Sequence, residues 1–353
     1  MADRAQAAAG TCRARLGVVA VVALSVAACA PSDVTGTPLV RAGRFGSLRD
    51  FVLMELPPAI AGGPPRILFV DRFEVTRGDW VEFVASKAGA EVDAELATTD
   101  GDPALPVGCV SLIQARAFAH WRFARLPDRD EWMAAVKGGG TIRYPWGNKV
   151  DATCANTGEL GLGQPTLVGT FESGRRLQDQ PYDFVGNVSE WTETVPNSWF
   201  EFEDPDHPLS LPIPFATGRL DVLRAAGLSI WQPVPGLAPP LAVVMARSAE
   251  TEREVVGANF QSNMENLIEN VPAGDRRLRT GARLFTTPVE LLRAMILADV
   301  WPGSSDQEQL RRFLARSGHL RVLRAAWPAA IRGLTRQELD RPLASWLRQR
   351  LEV

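Results

Sequence analysis

Two helix starts follow one another closely in the block PVGCVSLIQARAFAHWRFARLPDRDEWMAAVKGGG, and they restrict this part of the chain to short helices joined by loops. Ser111 precedes Gln114, and Asp128 precedes Glu131, at the spacing where a side chain caps the first turn and the third residue caps back. Ile113, Ala117, Phe118 and Trp121 then recur at helical spacing. Trp132 and Val136 form the inward face of the second helix, which Gly138 to Gly140 stop. Upstream, RILFVDRFEVT (Arg66 to Thr76) is strand-like, and Thr76 caps a helix running through Lys87 with Trp80, Phe83 and Val84 on its apolar face. YPWGN (Tyr144 to Asn148) is a turn with an aromatic plug. From Pro288 the pattern becomes helical, with PVELLRAMILADV, DQEQLRRFLARSG and a Thr335 to Glu338 capping box before a segment broken at Pro342. These signals predict an α+β domain of short strands, capped helices and long loops, followed by a C-terminal helical extension.

The N-terminus sets the compartment. Arg13 and Arg15 lead into LGVVAVVALSVAA (Leu16 to Ala28), which has the length of a signal-peptide core and is too short to span a bilayer. It ends in VAAC, Val26 to Cys29, which resembles a bacterial lipoprotein lipobox, with lipid expected on Cys29. The expected mature chain is therefore exported and lipid-anchored to a bacterial membrane, and Ala30 after the cysteine favours the outer one. Export leaves Cys109 and Cys154, which either bridge or are buried as separate thiols. Arginine carries nearly all the positive charge, since Lys87, Lys137 and Lys149 are the only lysines, and the formal net charge is -3. That balance excludes a nucleic-acid footprint.

The expected organisation is a signal peptide over 1–28, a lipid-anchored linker over 29–65 with one docking strand in FVLMELPPAI, a main domain over 66–286 and a helical region over 287–353. An insertion at about 193–255 interrupts the domain; it is aromatic, acidic and proline-laden, and LAVVMA near Leu241 reads as a strand. The helical region holds eleven arginines against seven acids. This surplus is expected to mark a solvated face.

FVDRFEVTRGDWVEFV, PVGCVSL, ARLPDRDEWMAAVKGGG, YPWGN, YDFVGNVSEW and GARL occur in the order and spacing of the sulfatase-modifying-factor family, whose best-known member is the formylglycine-generating enzyme, and the chain resembles that family from about Ile67 to Phe285. The resemblance implies an irregular α+β domain related to the C-type lectin fold. It also implies a structural calcium ion on Asp183, Glu190 and the carbonyls of Gly186 and Val188. Hard cations favour that mixture of carboxylate and carbonyl oxygens. A second calcium would begin at Asn156 and the carbonyl of Thr157, but TGELGLGQ lacks its later acidic ligand. Asn187-Val188-Ser189 fits a glycosylation acceptor only by chance, in a loop read as buried.

The family's enzyme oxidises a substrate cysteine with oxygen and a copper ion held by two thiolates, and soft sulfur is what selects Cu(I). Here QSNMENLIENVPAGDRRLR, between VGANF and TGARLF, holds no cysteine, and Met264 is its one sulfur. No copper site is expected. Iron-dependent relatives use a histidine cluster, whereas His120, His207 and His319 lie far apart. His120 is read as a partly buried helix residue, His207 as a surface group of the insertion, and His319 as a residue at a helix end that favours its charge. The reading is a non-catalytic module that binds an exported protein or a glycan through Trp199, Phe200 and Phe202 of the insertion. The alternative is a metal-dependent oxidoreductase with unrecognised ligands. Replacing the lipidation residue, Cys29→Ala, is expected to move the protein from the membrane to the soluble fraction, and unchanged membrane association would refute the anchor.

Overall fold

The computed structural model describes residues 45, 48, 50–58, 62–138, 140–177, 180–194, 252–298 and 303–351. The signal run, Cys29, and most of the insertion, with Trp199, Phe200, Phe202, His207 and LAVVMA, lie outside the described residues.

Strand β1 (Phe51–Leu56) pairs antiparallel with β2 (Arg66–Asp71) along its full length, from Phe51 opposite Asp71 to Leu56 opposite Arg66. The late strand β7 (Phe285–Thr286) closes this sheet on the far side of β2. A second sheet has the order β5-β4-β3-β6, from β3 (Ser189–Trp191), β4 (Glu252–Val256), β5 (Ile268–Pro272) and β6 (Thr280–Gly281). Within it β3 and β6 run parallel, while β3 with β4 and β4 with β5 run antiparallel. The docking strand expected in the linker is therefore an integral strand of the first sheet. The last residues of the expected insertion likewise belong to β4 rather than to a separate lobe.

Helices α1 (Arg77–Val84), α2 (Lys87–Ala90), α3 (Leu112–Trp121) and α4 (Arg129–Lys137) pack around the sheets. The reciprocal caps expected at Ser111 with Gln114 and at Asp128 with Glu131 both form, as does one at Thr76 with Asp79. The helix expected to run through Lys87 stops at Val84, because Ser86 caps a new one through the Gly89 amide. Trp80, Phe83 and Phe118 meet with ring centroids 5.1 to 5.4 Å apart, and this aromatic cluster joins α1 to α3.

Two expected faces are corrected. Ile113 is 62% exposed, and the buried side of α3 is Leu112, Ala115, Phe118 and Ala119. The cause is Gln114, whose amide donates to the carbonyls of Val92 and Asp93 and rotates that side inward. His120, expected to be partly buried, is exposed on the opposite side.

The C-terminal region comprises α5 (Pro288–Leu297), α6 (Ser304–Ala315), α7 (His319–Ala330), α8 (Arg336–Leu339) and α9 (Pro342–Leu351). Pro342 opens α9 instead of breaking it, consistent with the preference of proline for the first turn. These helices share one apolar core with the domain, in which Phe313 of α6 lies 5.3 Å from Phe69 of β2. Among the described residues no helix is long and apolar enough to cross a membrane.

Arg311, Arg312, Arg321, Arg332, Arg336 and Arg350 stand exposed on the solvated face that the arginine surplus led us to expect, and other arginines of the region have a structural task. Arg293 donates to the carbonyls of Ala330 and Arg332 at the end of α7, and Arg341 to those of Ile296 and Leu297 at the end of α5. Arg348 caps Leu339 at the end of α8, and Arg324 caps Leu351 at the end of α9. Each helix C-terminus presents carbonyls without helical partners and a partial negative charge, so a neighbour's guanidinium satisfies both at once. Arg341→Ala should therefore lower the unfolding free energy by about 1 kcal/mol. Arg321→Ala, at an exposed position, should change it by less than about 0.5 kcal/mol in the same denaturant titration.

Candidate functional site

The stretch YDFVGNVSEW turns where the fold demands it. Asp183 and Asn187 adopt positive φ of 51° and 60°, with Gly186 at 88° between them. A β-carbon on Gly186 would stand 2.5 Å from the Asn156 carbonyl, so only glycine fits. That close approach lets the Asn187 amide donate to the Asn156 carbonyl at 2.7 Å and aims the Val188 amide at a buried carboxylate, Glu74, at 2.9 Å. The Asn187 side-chain amide donates to the other Glu74 oxygen at 2.7 Å. Asn187 is buried and engaged, so the glycosylation match is structural coincidence.

Glu190, from β3, is fully buried. One oxygen accepts from the Trp132 indole at 2.7 Å, and the other is paired with Arg283 at 2.8 Å. Arg283 also donates to the carbonyls of Asp71 and Asp183, each at 3.0 Å, and its guanidinium lies 4.7 Å from the Phe184 ring centre. Asp183 receives the Gly169 amide at 2.6 Å on one carboxylate oxygen. Three buried carboxylates, Glu74, Asp183 and Glu190, thus share a single guanidinium.

The electrostatics follow from that imbalance. Burial holds Glu74 well above the usual carboxylate range, and the charges of Asp183 and Glu190 push it the same way. Asp183 is pushed up to about 6 by burial, against the lowering effects of the Gly169 amide and Arg283. Glu190 is raised by burial, against the pull of Arg283. A buried cluster with more carboxylates than cations is relieved either by protonating a carboxylate or by an added cation.

For calcium, the donor chemistry fits in part. Glu190 spends one lone pair on each partner, and a carboxylate oxygen retains another. Asp183 spends its main-chain carbonyl on Arg283, so its carboxylate and the carbonyls of Gly186 and Val188 would complete the set. At the second expected site, Asn156 Oδ1 is buried without a partner, while the Thr157 carbonyl already accepts the Leu160 amide at 3.1 Å. Among the described residues no three His, Cys, Asp or Glu side chains converge as a metal cage would require. Glu74 and Arg283 are the members of the cluster that sequence reading missed. Each stands as a lone charge within an otherwise apolar run, FEVT and GARLF, and that was the signal available.

The cysteines are corrected as well. Cys154 is a free, buried thiol, so the bridge between Cys109 and Cys154 does not form. Different loops hold the two. Cys109, at positive φ, donates its amide to Arg277 and accepts from the Thr98 hydroxyl at 3.1 Å, while the Cys154 amide closes a turn on Asp151.

The segment between VGANF and TGARLF forms one wall of an open groove of about 450 Å³, through Glu265, Asn266, Leu267 and Ile268, with Met133, Lys137 and Arg143 opposite. Met264, the one sulfur of that segment, is turned away into a core with Tyr144, Val185 and Ala258. Breaking the central pair with Arg283→Ala should cost about 3–5 kcal/mol, because it strands buried carboxylates. Replacing both partners by Arg283→Met and Glu190→Leu should cost clearly less than the sum of the single changes in a thermodynamic cycle.

Residues 33–224 match the family model described as the sulfatase-modifying factor enzyme 1-like domain. An inactive C-alpha-formylglycine-generating enzyme 2 of Bos taurus is 37% identical over 106 residues, covering 25% of this chain and 32% of the relative. The formylglycine-generating enzyme of Mycobacterium tuberculosis is 30% identical over 153 residues, 39% of this chain and 49% of that protein. A hercynine oxygenase of the same organism is 36% identical over 99 residues, 27% of this chain and 23% of the relative. This chain thus spans well under two thirds of the length of these relatives. Among solved structures, Treponema denticola variable protein 1 aligns with a TM-score of 0.40 at 17% identity, covering 67% of this chain and 93% of that one.

Proposed function

Because the chain belongs to the family of sulfatase-modifying factor enzyme 1-like domains, we propose that it is a non-catalytic member, lipid-anchored after export, that binds a protein or glycan instead of oxidising a cysteine. The observation that carries the reading is chemical. The stretch from Gln261 to Arg279, where the resemblance places two copper-binding thiolates, contains no cysteine, and its methionine is buried away from the groove. Cu(I) requires soft donors, and neither carboxylate nor amide replaces them. A relative of this chain carries the name of an inactive enzyme, which agrees with loss of chemistry on a kept fold.

The groove beside that segment suits binding better than redox work. It combines apolar walls from Ile142, Leu267 and Ile268 with the charges of Lys137, Arg143 and Glu265, the mixture that orients a ligand in a half-apolar site. The aromatic residues Trp199, Phe200 and Phe202 of the insertion add a second proposed contact. A structural calcium ion on Asp183, Gly186, Val188 and Glu190 belongs to the same proposal, supported by the excess of buried carboxylate around Arg283; the partner doublet Asn156 and Thr157 would hold a second ion less completely.

Two measurements test this. The soluble part from Ala30 onward, loaded anaerobically with Cu(I) or with Fe(II) and given a cysteine-bearing peptide, should consume no oxygen above the metal blank; sustained turnover would establish the metal-dependent oxidoreductase instead. Chelation should lower the melting temperature of the wild type by a few degrees and leave that of Asp183→Asn unchanged. A wild type indifferent to chelator would remove calcium from the proposal.

A further inference from the structure

His319 stands in the seam between the domain and its C-terminal helices. Its ring lies 5.0 Å from Phe69 of β2 and 4.7 Å from Phe313 of α6, both edge-on. The residue is 2% exposed, and Nδ1 has no hydrogen-bond partner. The same seam is closed by Arg316, which donates to the Phe51 carbonyl at 2.7 Å, and by Gly318, whose left-handed turn sets its backbone against Leu53. His319 is not at a helix end that favours its charge, as the sequence suggested. It is the first residue of α7, capped only by glycine, where the helix dipole opposes a cation.

The charges around the seam favour the neutral ring. Arg316 adjoins it in the turn, Arg72 and Asp50 face Arg316 from the domain, and the buried Asp71–Arg122 pair lies behind Phe51. On α7 itself, Arg321 and Arg324 point outward. The ring donates to the Phe313 carbonyl, which favours the proton, and no carboxylate among the described residues bonds the imidazole.

We infer that α6 and α7 form an acid-released latch, in which protonation of His319 between Phe69 and Phe313 undocks these helices from the β1-β2-β7 sheet. Burial, with Arg316 acting in the same direction, lowers the docked imidazole from 6.5 to about 4. Above pH 6.5 both docked and released forms are neutral and the latch is unaffected. As pH falls below 6.5 the released form takes the proton first, so docking weakens down to about pH 4 and then levels off. With those two values, the opening equilibrium rises roughly thirtyfold at pH 5.

Hydrogen exchange of the full exported chain between pH 7.5 and 4.5, corrected for intrinsic rates, tests the latch. Peptides over 304–330 should lose protection roughly thirtyfold at pH 5, while peptides over α4 and β3 keep theirs. His319→Phe, which fills the aromatic seam without a titrating nitrogen, should retain protection over 304–330. Protection that is independent of pH in the wild type, that is lost equally in His319→Phe, or that is lost together with β3 would overturn the inference. Should that variant fail to fold, the imidazole C2 proton of the wild type decides by NMR: a midpoint below 5 upholds the latch, and one near 6.5 refutes it.

Discussion

Arg283 is the constraint on which the rest of the fold depends. Its guanidinium reaches the end of β2 through the Asp71 carbonyl, the signature loop through the Asp183 carbonyl, and β3 through Glu190, whose other oxygen holds α4 by Trp132. One planar cation with donors in a fixed fork thereby ties two small sheets and a helix that have few hydrogen bonds of their own to each other. Strands of two and three residues would be marginal in isolation, and here they are held because their ends converge on a buried charge. The arrangement has a cost, since burying a second and a third carboxylate beside one arginine is unfavourable unless donors surround them. Glu74 meets that condition through the Val188 and Asn187 amides.

Local rules were legible in the sequence wherever a few residues decide. The caps at Ser111, Asp128 and Thr335 form as their spacing predicts, because each is a contact within one turn. What the sequence concealed is long-range. The outward turn of Ile113 depends on Gln114 reaching the carbonyls of Val92 and Asp93 across a loop, and Arg293 and Arg341 of the tail are spent on carbonyls of neighbouring helices. At the candidate site, Asp183 and Glu190 were evident as a carboxylate pair around a Gly-Asn turn. Their counter-charge, Arg283, lies 93 positions from Glu190 in the chain, and no local pattern joins the two.

On the non-catalytic reading proposed above, the same long-range support lets the fold stand without the family's chemistry. The bonds of Arg283 run to Asp71, Asp183 and Glu190, and none reaches the segment from Gln261 to Arg279. Loss of sulfur from Gln261 to Arg279 therefore removes no bond of the cluster. The backbone at the entry to that segment is tied in, since the Phe260 amide donates to the Asn187 carbonyl and the Gly257 amide to the Leu267 carbonyl. The groove beside this segment is lined by Lys137, Arg143 and Glu265 together with Leu267 and Ile268. On the non-catalytic reading proposed above, the scaffold keeps its shape because the bonds that hold it are made by Arg283 and by the backbone of the signature loop, and none of them involves sulfur.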